Sequence, residues 1–203
     1  MKPLIKRMAF VFAGLAWLGL TALPSFAQPN LVTNGGFETG DLSNWTSADT
    51  FIRVNSDDPH TGTYAAYLSS NAPDKSLYQA ITTTAGQTYD VSFWLTDVHV
   101  RDPLTNHFAA YFGGSAGAKD GQLLLDVTDL GPQPYTKYSY SVTATSSTTY
   151  LQFFENNVND IFYLDDISVQ EHGTSVPEAS TLTLYGGTIL LGSCCFLRRH
   201  LRR

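Results

Sequence analysis

The stretch Thr88-Tyr89-Asp90-Val91-Ser92-Phe93-Trp94-Leu95-Thr96 alternates with a period of two residues. Successive side chains of a β-strand point to opposite faces, so one face would carry Tyr89, Val91, Phe93 and Leu95. The pattern predicts a half-buried strand. Trp94 then lies on the polar face, together with Asp90 and Ser92.

The same period recurs along the chain from about residue 64 to residue 170. Further strands are predicted at 64–68, 77–82, 107–112, 122–127, 137–143, 149–154 and 161–170. Clusters of Gly, Pro, Asn and Asp separate them, including Asn71-Ala72-Pro73-Asp74, and Asn156–Asp160 is interpreted as a hairpin loop. Because strands of this length follow one another without a helical segment between them, we expect an all-β, antiparallel β-sandwich.

Charge is distributed unevenly over the 203 residues. All 18 acidic residues lie between Glu38 and Glu178, whereas seven of the 12 basic residues lie at the two ends. A body this acidic should repel nucleic acid and anionic membranes, so we expect no nucleic-acid partner. The two cysteines, Cys194 and Cys195, lie near the C-terminus, so the predicted sandwich contains neither disulfides nor cysteine-ligated zinc.

The N-terminus has the order of a secretory signal peptide. Lys2, Lys6 and Arg7 precede an apolar run from Met8 to Leu20, and Ser25-Phe26-Ala27 supplies small residues before Gln28. We therefore predict a signal helix over residues 1–27, cleaved before residue 28, which implies export through the inner membrane. An uncleaved anchor helix is the alternative. It would leave the small-residue cleavage pattern without a role.

The C-terminus combines three features. Val176-Pro177-Glu178-Ala179-Ser180-Thr181 precedes an apolar transmembrane segment over residues 181–197, and the chain ends in an arginine-rich tail over residues 198–203 that begins with Arg198 and Arg199. The apolar segment is barely long enough to cross a bilayer as a helix. The arginines would stay on the cytoplasmic side and leave the acidic body outside, in agreement with a signal peptide.

This C-terminal order resembles the PEP-CTERM sorting signal. The resemblance covers residues 176–203 of the linker and sorting segment 173–203, and it implies recognition of Val176, Pro177 and Glu178 and cleavage near Pro177–Ala179 by an exosortase-type enzyme. Such a protein would be anchored in the membrane at least transiently and then delivered to the cell surface or extracellular matrix. Ala179 departs from the motif, which places a second proline there. A plain tail anchor is the alternative.

The region 28–172 resembles carbohydrate-binding modules with the galactose-binding-like jelly-roll fold. Three landmarks carry the resemblance in the expected order. They are the opening segment Asn30–Trp45 with its Asn-Gly-Gly-Phe-Glu core, the turn and strand Pro59-His60-Thr61-Gly62-Thr63-Tyr64-Ala65-Ala66, and the closing strand Phe162-Tyr163-Leu164-Asp165-Asp166-Ile167-Ser168-Val169. The resemblance implies a jelly-roll sandwich. The same fold also serves as a purely structural module.

A structural calcium ion is expected near the closing strand. Strict alternation would put Asp165 on the same face as Ile167 and Val169, and a carboxylate on a core face needs a partner. The resemblance implies calcium held by Glu38, Asp165 and main-chain carbonyls near Thr61 or Gly62. The alternative is an Asp165 bonded to backbone amides or a hydroxyl. Asp166, on the opposite face, is expected to be solvated.

Ligand contacts are predicted at Asp90, Trp94, Tyr111 and Gln152, which could line one sheet face. Sugars bind through aromatic rings and nearby amides or carboxylates, so an outward tryptophan is a suitable platform. The alternative is that Trp94 packs beneath a loop. Trp45 is expected to fill the core.

No catalytic constellation is apparent in the sequence. There is no Gly-x-Ser-x-Gly elbow, phosphate-binding glycine loop or His-Glu-x-x-His helix, and the neighbouring carboxylates Asp165 and Asp166 would point apart. We therefore predict a non-enzymatic surface protein that binds polysaccharide, including the exopolymer matrix. The alternative is a structural matrix or adhesion protein that binds no sugar.

Overall fold

The structure is a computed structural model that describes residues 28–47, 49–98 and 106–173. Within these ranges the chain forms strands and no helix, as the alternating pattern predicts. The strands are β1 (Thr46–Ser47), β2 (Arg53–Asn55), β3 (Ala65–Thr82), β4 (Thr88–Asp97), β5 (Asn106–Phe112), β6 (Gln122–Thr128), β7 (Gln133–Thr143) and β8 (Thr148–Glu171). The predicted signal peptide, transmembrane segment and sorting residues lie outside the described residues.

Two long strands, β3 and β8, divide the fold into two antiparallel layers. The first half of β8 pairs with β5 and with the second half of β3, and β6 and β1 extend this layer. The second half of β8 pairs with β4 and with the first half of β3, and β7 and β2 extend the other layer. The predicted antiparallel sandwich is thereby confirmed.

Two predicted breaks are absent from the strand pattern. Asn71–Asp74 was expected to be a turn and Asn156–Asp160 a hairpin loop, but β3 and β8 run through these positions. Ser70 pairs with Asn157 and Lys75 with Glu155, so five steps along β3 match only two along β8. The extra β3 residues form a bulge, which accommodates turn-forming residues without reversing the chain.

The core lies between the two layers and is rich in aromatic side chains. Phe93 of β4 packs against Phe153 of β8 at 5.2 Å and against Tyr138 of β7 at 5.5 Å between ring centroids. Trp45 is 7% exposed, contacts Phe153 at 6.2 Å and donates its indole N–H to the Asn34 carbonyl at 3.0 Å. The prediction that Trp45 fills the core is confirmed.

Among the residues that the structure describes, no helix is long and apolar enough to cross a membrane.

Candidate functional site

Two tyrosines flank a glutamine across three neighbouring strands on the outer surface of the first layer. Tyr78 of β3 and Tyr111 of β5 both lie directly opposite Gln152 of β8. Their alternation neighbours, such as Leu77 and Phe112, are in the core, so the two tyrosines point outward. We call the surface formed by Tyr78, Tyr111 and Tyr150 the tyrosine face; Phe154, on the same side of β8, is buried and packs against Tyr111.

Aromatic pairs build the tyrosine face. Tyr78 meets Tyr150 edge-on at 6.1 Å, and Tyr111 meets Phe154 edge-on at 5.6 Å between ring centroids. The ammonium of Lys119 lies 5.2 Å from the Phe154 ring centroid. Edge-to-face packing fixes the ring orientations, and the three tyrosines remain partly exposed. The face therefore presents rigid aromatic rings to solvent.

Gln152 organises a loop over this face instead of reaching the surface. Its carboxamide oxygen accepts the N–H groups of Gly117 at 2.7 Å and Ala118 at 3.2 Å. Its amide nitrogen donates to the carbonyls of Gly113 at 2.9 Å and Ala118 at 3.1 Å. Gln152 is completely buried. In the structure Gln152 positions residues 113–118, and its predicted contact with a ligand stays a prediction.

The other two predicted ligand residues lie on the opposite side of the molecule. Asp90 and Trp94 belong to β4, whose outer surface carries rows of polar side chains across β7, β4 and β8. The expectation that Asp90, Trp94, Tyr111 and Gln152 line one sheet face is therefore wrong. Alternation correctly predicts that Asp90 and Trp94 point outward, but it cannot tell which of the two layers contains a strand.

The β4 surface contains a shallow groove of about 340 Å³. Its middle row joins Ser139, Ser92 and Ser168, and the next row joins Ser141, Asp90 and Gln170. The Asp90 carboxylate lies 2.9 Å from Nδ1 of His172. We call this surface the serine face. It is polar and open, with Trp94 at one end.

Trp94 is covered by the loop that contains His60. The two rings stack at 3.9 Å with an interplanar angle of 21°, and Nδ1 of His60 lies 2.6 Å from the Asp166 carboxylate. Tyr135 lies 5.0 Å from His60 and donates its hydroxyl to the Asp58 carbonyl at 2.6 Å. Burial raises the pKa of Tyr135, which keeps this donor protonated. The geometry matches the alternative interpretation of Trp94, packing beneath a loop.

The residues predicted to bind calcium surround the same loop. Glu38 accepts the N–H groups of Thr63 and Tyr64, each at 3.0 Å. Asp165 accepts the N–H groups of His60 at 2.9 Å and Thr61 at 3.2 Å. Two carboxylates from distant parts of the sequence therefore hold residues 60–64 through backbone amides, as in the alternative interpretation of Asp165.

Asp165 is fully buried as predicted, but not on the core face. Trp94 lies opposite Asp165 and Ser92 opposite Ser168, so two β8 residues occupy the place of one. Asp166 adopts a φ of 47° in this bulge, which lets both Leu164 and Ile167 face the core. Asp165 therefore points outward with Trp94. Strict alternation fails because it assumes a regular strand.

Burial raises the pKa of Asp165 to about 6, although N–H donors from Asp166, Thr61 and His60 oppose the shift. Asp166 was expected to be solvated, but its carboxylate is largely covered and accepts the Thr61 hydroxyl at 2.7 Å. The loop of residues 58–64 thus covers both acidic side chains.

Calcium at this position stays a prediction. A Cβ atom built on Gly36 would lie 3.6 Å from Oδ1 of Asp166 and 3.7 Å from Oδ1 of Asp165, but the Glu38 atom near this point is the methylene Cγ at 3.9 Å. Carboxylate oxygens are suitable ligands for calcium. The described residues contain no group of three or more His, Cys, Asp or Glu side chains arranged to hold a metal. Thr61 contributes hydrogen-bond donors here.

Sequence reasoning missed Tyr78, Tyr150 and Phe154. Each is adjacent in sequence to a core residue of its strand and therefore points to the opposite face. Tyr78 and Tyr150 follow or precede a core residue in the same way as Trp94 follows Phe93. Outward aromatic residues on several predicted strands were therefore a usable signal. The sequence carried no signal for which strands are neighbours, because β3, β8 and β5 pair between residues that are far apart in the chain.

A comparison with protein-family models matches residues 29–159 to the carbohydrate-binding domain CBM_4_9. The match covers most of the chain, and the protein belongs to this family of carbohydrate-binding domains. No curated protein sequence matches the chain significantly.

Solved structures share the fold at low sequence identity. TmCBM61 in complex with β-1,4-galactotriose is 20% identical with a TM-score of 0.55, and the match covers 71% of this chain and 99% of that one. The CBM22-1 xylan-binding domain of Paenibacillus barcinonensis Xyn10C is 15% identical with a TM-score of 0.55, covering 75% and 100%. The enzymatically active domain of bacteriophage CBA120 tailspike protein 4 is 14% identical with a TM-score of 0.52, covering 70% and 21%.

Proposed function

We propose that this protein binds a polysaccharide through the tyrosine face, without catalysing a reaction. The observation that carries the proposal is the row of Tyr78, Gln152 and Tyr111 across three paired strands. Neighbouring strands are about 4.8 Å apart, so the two tyrosines are separated by roughly 10 Å. The two rings offer flat apolar surface for sugar C–H groups on either side of the loop of residues 113–118, and one extended oligosaccharide that passes over this loop can contact both.

A neutral polysaccharide is the ligand class that best suits the charge of the chain. The segment between the two termini carries most of the acidic residues and few basic ones, so it repels polyanions. The family assignment and the fold of the two carbohydrate-binding neighbours support a sugar ligand.

Where the protein would act in the cell is inferred from the two ends of the sequence. We propose export by the N-terminal signal and sorting by the PEP-CTERM-like C-terminus, with processing by an exosortase-type enzyme. The mature protein would act at the cell surface or in the exopolymer matrix. The C-terminal mass of the secreted protein tests this part of the proposal, since processing near Pro177 removes the arginine-rich tail.

Binding is tested by glycan-array screening of the full chain, followed by affinity electrophoresis on the polysaccharide that binds. We expect Tyr111→Ala and Tyr78→Ala each to weaken binding about tenfold, as loss of a stacking contact worth roughly 1.5 kcal/mol would do. Trp94→Ala is the matched control, because Trp94 lies on the opposite layer beneath His60. Loss of binding in Trp94→Ala alone would move the site to the serine face.

The second candidate function is a structural matrix or adhesion protein that binds no sugar. It is favoured by the loop of residues 113–118, which Gln152 holds over part of the tyrosine face. Absence of binding to every neutral glycan on the array would support this alternative over the first.

A further inference from the structure

The amine of Lys75 lies near the carboxyl group of Asp49 and across the strand pair from Glu155, where the second half of β3 pairs with the first half of β8. Lys75 of β3 is the direct cross-strand partner of Glu155 of β8. Nζ of Lys75 lies 3.9 Å from Oδ2 of Asp49, in the segment between β1 and β2. The Asp49 side chain is only 11% exposed and that of Lys75 is 31% exposed. Lys75 therefore forms an ion pair with Asp49 and lies across the strand pair from Glu155, in a site that is partly shielded from water.

Glu155 is the unusual member of this group. It is completely buried, and among the residues that the structure describes neither carboxyl oxygen has a hydrogen-bond partner. Its other cross-strand neighbour is Phe108, a core residue. Burial raises the pKa of Glu155 to about 8; the charge of Asp49 adds to the shift and that of Lys75 opposes it. Near neutral pH the carboxyl group can therefore both hold and accept a proton.

The two oxygens of the Asp49 carboxyl group have different partners. Its Oδ1 accepts the backbone N–H of Phe51 at 2.8 Å, which polarises the carbonyl and would stabilise negative charge on that oxygen. Its other oxygen, Oδ2, is the one nearest Nζ of Lys75. The contacts therefore distinguish Oδ1, which the Phe51 N–H holds, from Oδ2, which lies nearest the Lys75 amine.

We propose that Lys75 and Asp49 condense into an intramolecular amide bond, with Glu155 transferring the protons. The bond from Nζ to Cγ forms and the bond from Cγ to Oδ2 breaks. Two of the three ammonium protons of Lys75 pass through the Glu155 carboxyl group to Oδ2, which leaves as water, and one stays on the amide nitrogen. Glu155 ends as it began, and no oxidant or other reactant is consumed.

The cross-link would join the segment between β1 and β2 to the long strand β3. The chain has no cysteine between residues 28 and 173, so no disulfide can supply this restraint. A covalent link between residues 49 and 75 restricts the unfolded chain in the way that a disulfide does. Unlike a disulfide, an amide does not depend on the redox state of the surroundings.

Intact mass spectrometry of the full chain, with tryptic mapping, tests the proposal. We expect the wild-type protein to weigh about 18 Da less than its sequence requires, from the loss of one water. Trypsin should also fail to cleave after Lys75, and the peptide that contains Asp49 should remain attached there. A full sequence mass together with normal cleavage after Lys75 would overturn the proposal, and this result needs no variant to fold.

Variants then test each role. Lys75→Arg and Asp49→Ala should show the full mass of their sequences, and Glu155→Gln should do so while keeping the wild-type circular dichroism spectrum. Lys137→Arg is the matched control and should keep the loss of water, because Lys137 lies on the serine face. A mass loss that persists in Lys75→Arg would exclude Lys75, and one that persists in Glu155→Gln would exclude Glu155 as the proton carrier.

Discussion

Tyr111 lies directly opposite Gln152 across the pair β5 and β8, but only the tyrosine reaches the surface. The buried carboxamide makes four hydrogen bonds to the backbone of residues 113–118. The glutamine thus shapes the surface on which the tyrosine is displayed, and the two residues contribute to the tyrosine face in different ways.

We predict that Gln152→Ala destabilises the protein by about 3 kcal/mol, since buried backbone groups lose their partners. Urea unfolding measures this loss, and hydrogen exchange should increase at Gly117 and Ala118. Gln170→Ala is the matched control, because Gln170 makes a single hydrogen bond at an exposed position. Equal effects of the two substitutions would contradict the role given to Gln152.

Gly62 marks the closest approach of the loop to Glu38. Its φ is 69°, and a Cβ atom there would lie 2.3 Å from Oε1 of Glu38. We predict that Gly62→Ala costs about 2 kcal/mol or more, because the left-handed conformation alone disfavours alanine by roughly 1–2 kcal/mol. Thermal unfolding checks this value. Gly131→Ala, where a Cβ meets nothing within 4 Å, should be nearly neutral.

Asp165 should make stability depend on pH. Its pKa rises from an ordinary value of 3.8 to about 6 in the fold, chiefly because of burial. A raised carboxyl pKa contributes stability that is fully present below the unfolded value and is lost as pH rises through the folded value. In a chelating buffer, wild type should therefore lose stability relative to Asp165→Asn between about pH 4 and pH 7.

Urea unfolding at a series of pH values gives the difference between the two proteins. The exposed Asp129→Asn variant controls for the general effect of removing a negative charge. A difference between wild type and Asp165→Asn that does not change with pH would show that the carboxyl group titrates alike in the folded and unfolded chains.

Calcium at Glu38 and Asp165 predicts a response to chelation. A ligand that binds only the folded state raises the melting temperature, so a chelator should lower the melting temperature by several degrees. Glu38→Gln should abolish the response, whereas Asp129→Asn should retain it. Superimposable melting curves with and without chelator would mean that the amide donors of residues 60–64 satisfy the two carboxylates without a metal.

Much of the fold could be predicted because it depends on local periodicity. The alternation around Phe93 identified a strand and its buried face, and the opening and closing segments identified the jelly roll. The breaks at Asn71–Asp74 and Asn156–Asp160 were wrong, because turn-forming residues can also occupy a bulge when a neighbouring strand continues the pairing.

The sequence by itself determined the all-β class, the acidic body, the core position of Trp45 and the three landmarks of the carbohydrate-binding fold. The fold class and the acidic body follow from alternation and composition, whereas Trp45 and the three landmarks rest on the resemblance of short sequence segments to a known family. Only the tertiary structure decided that Tyr111 belongs with Tyr78 and not with Trp94, and that Asp165 points away from the core. Strand pairing and a one-residue bulge set both outcomes, because each depends on contacts between residues far apart in sequence.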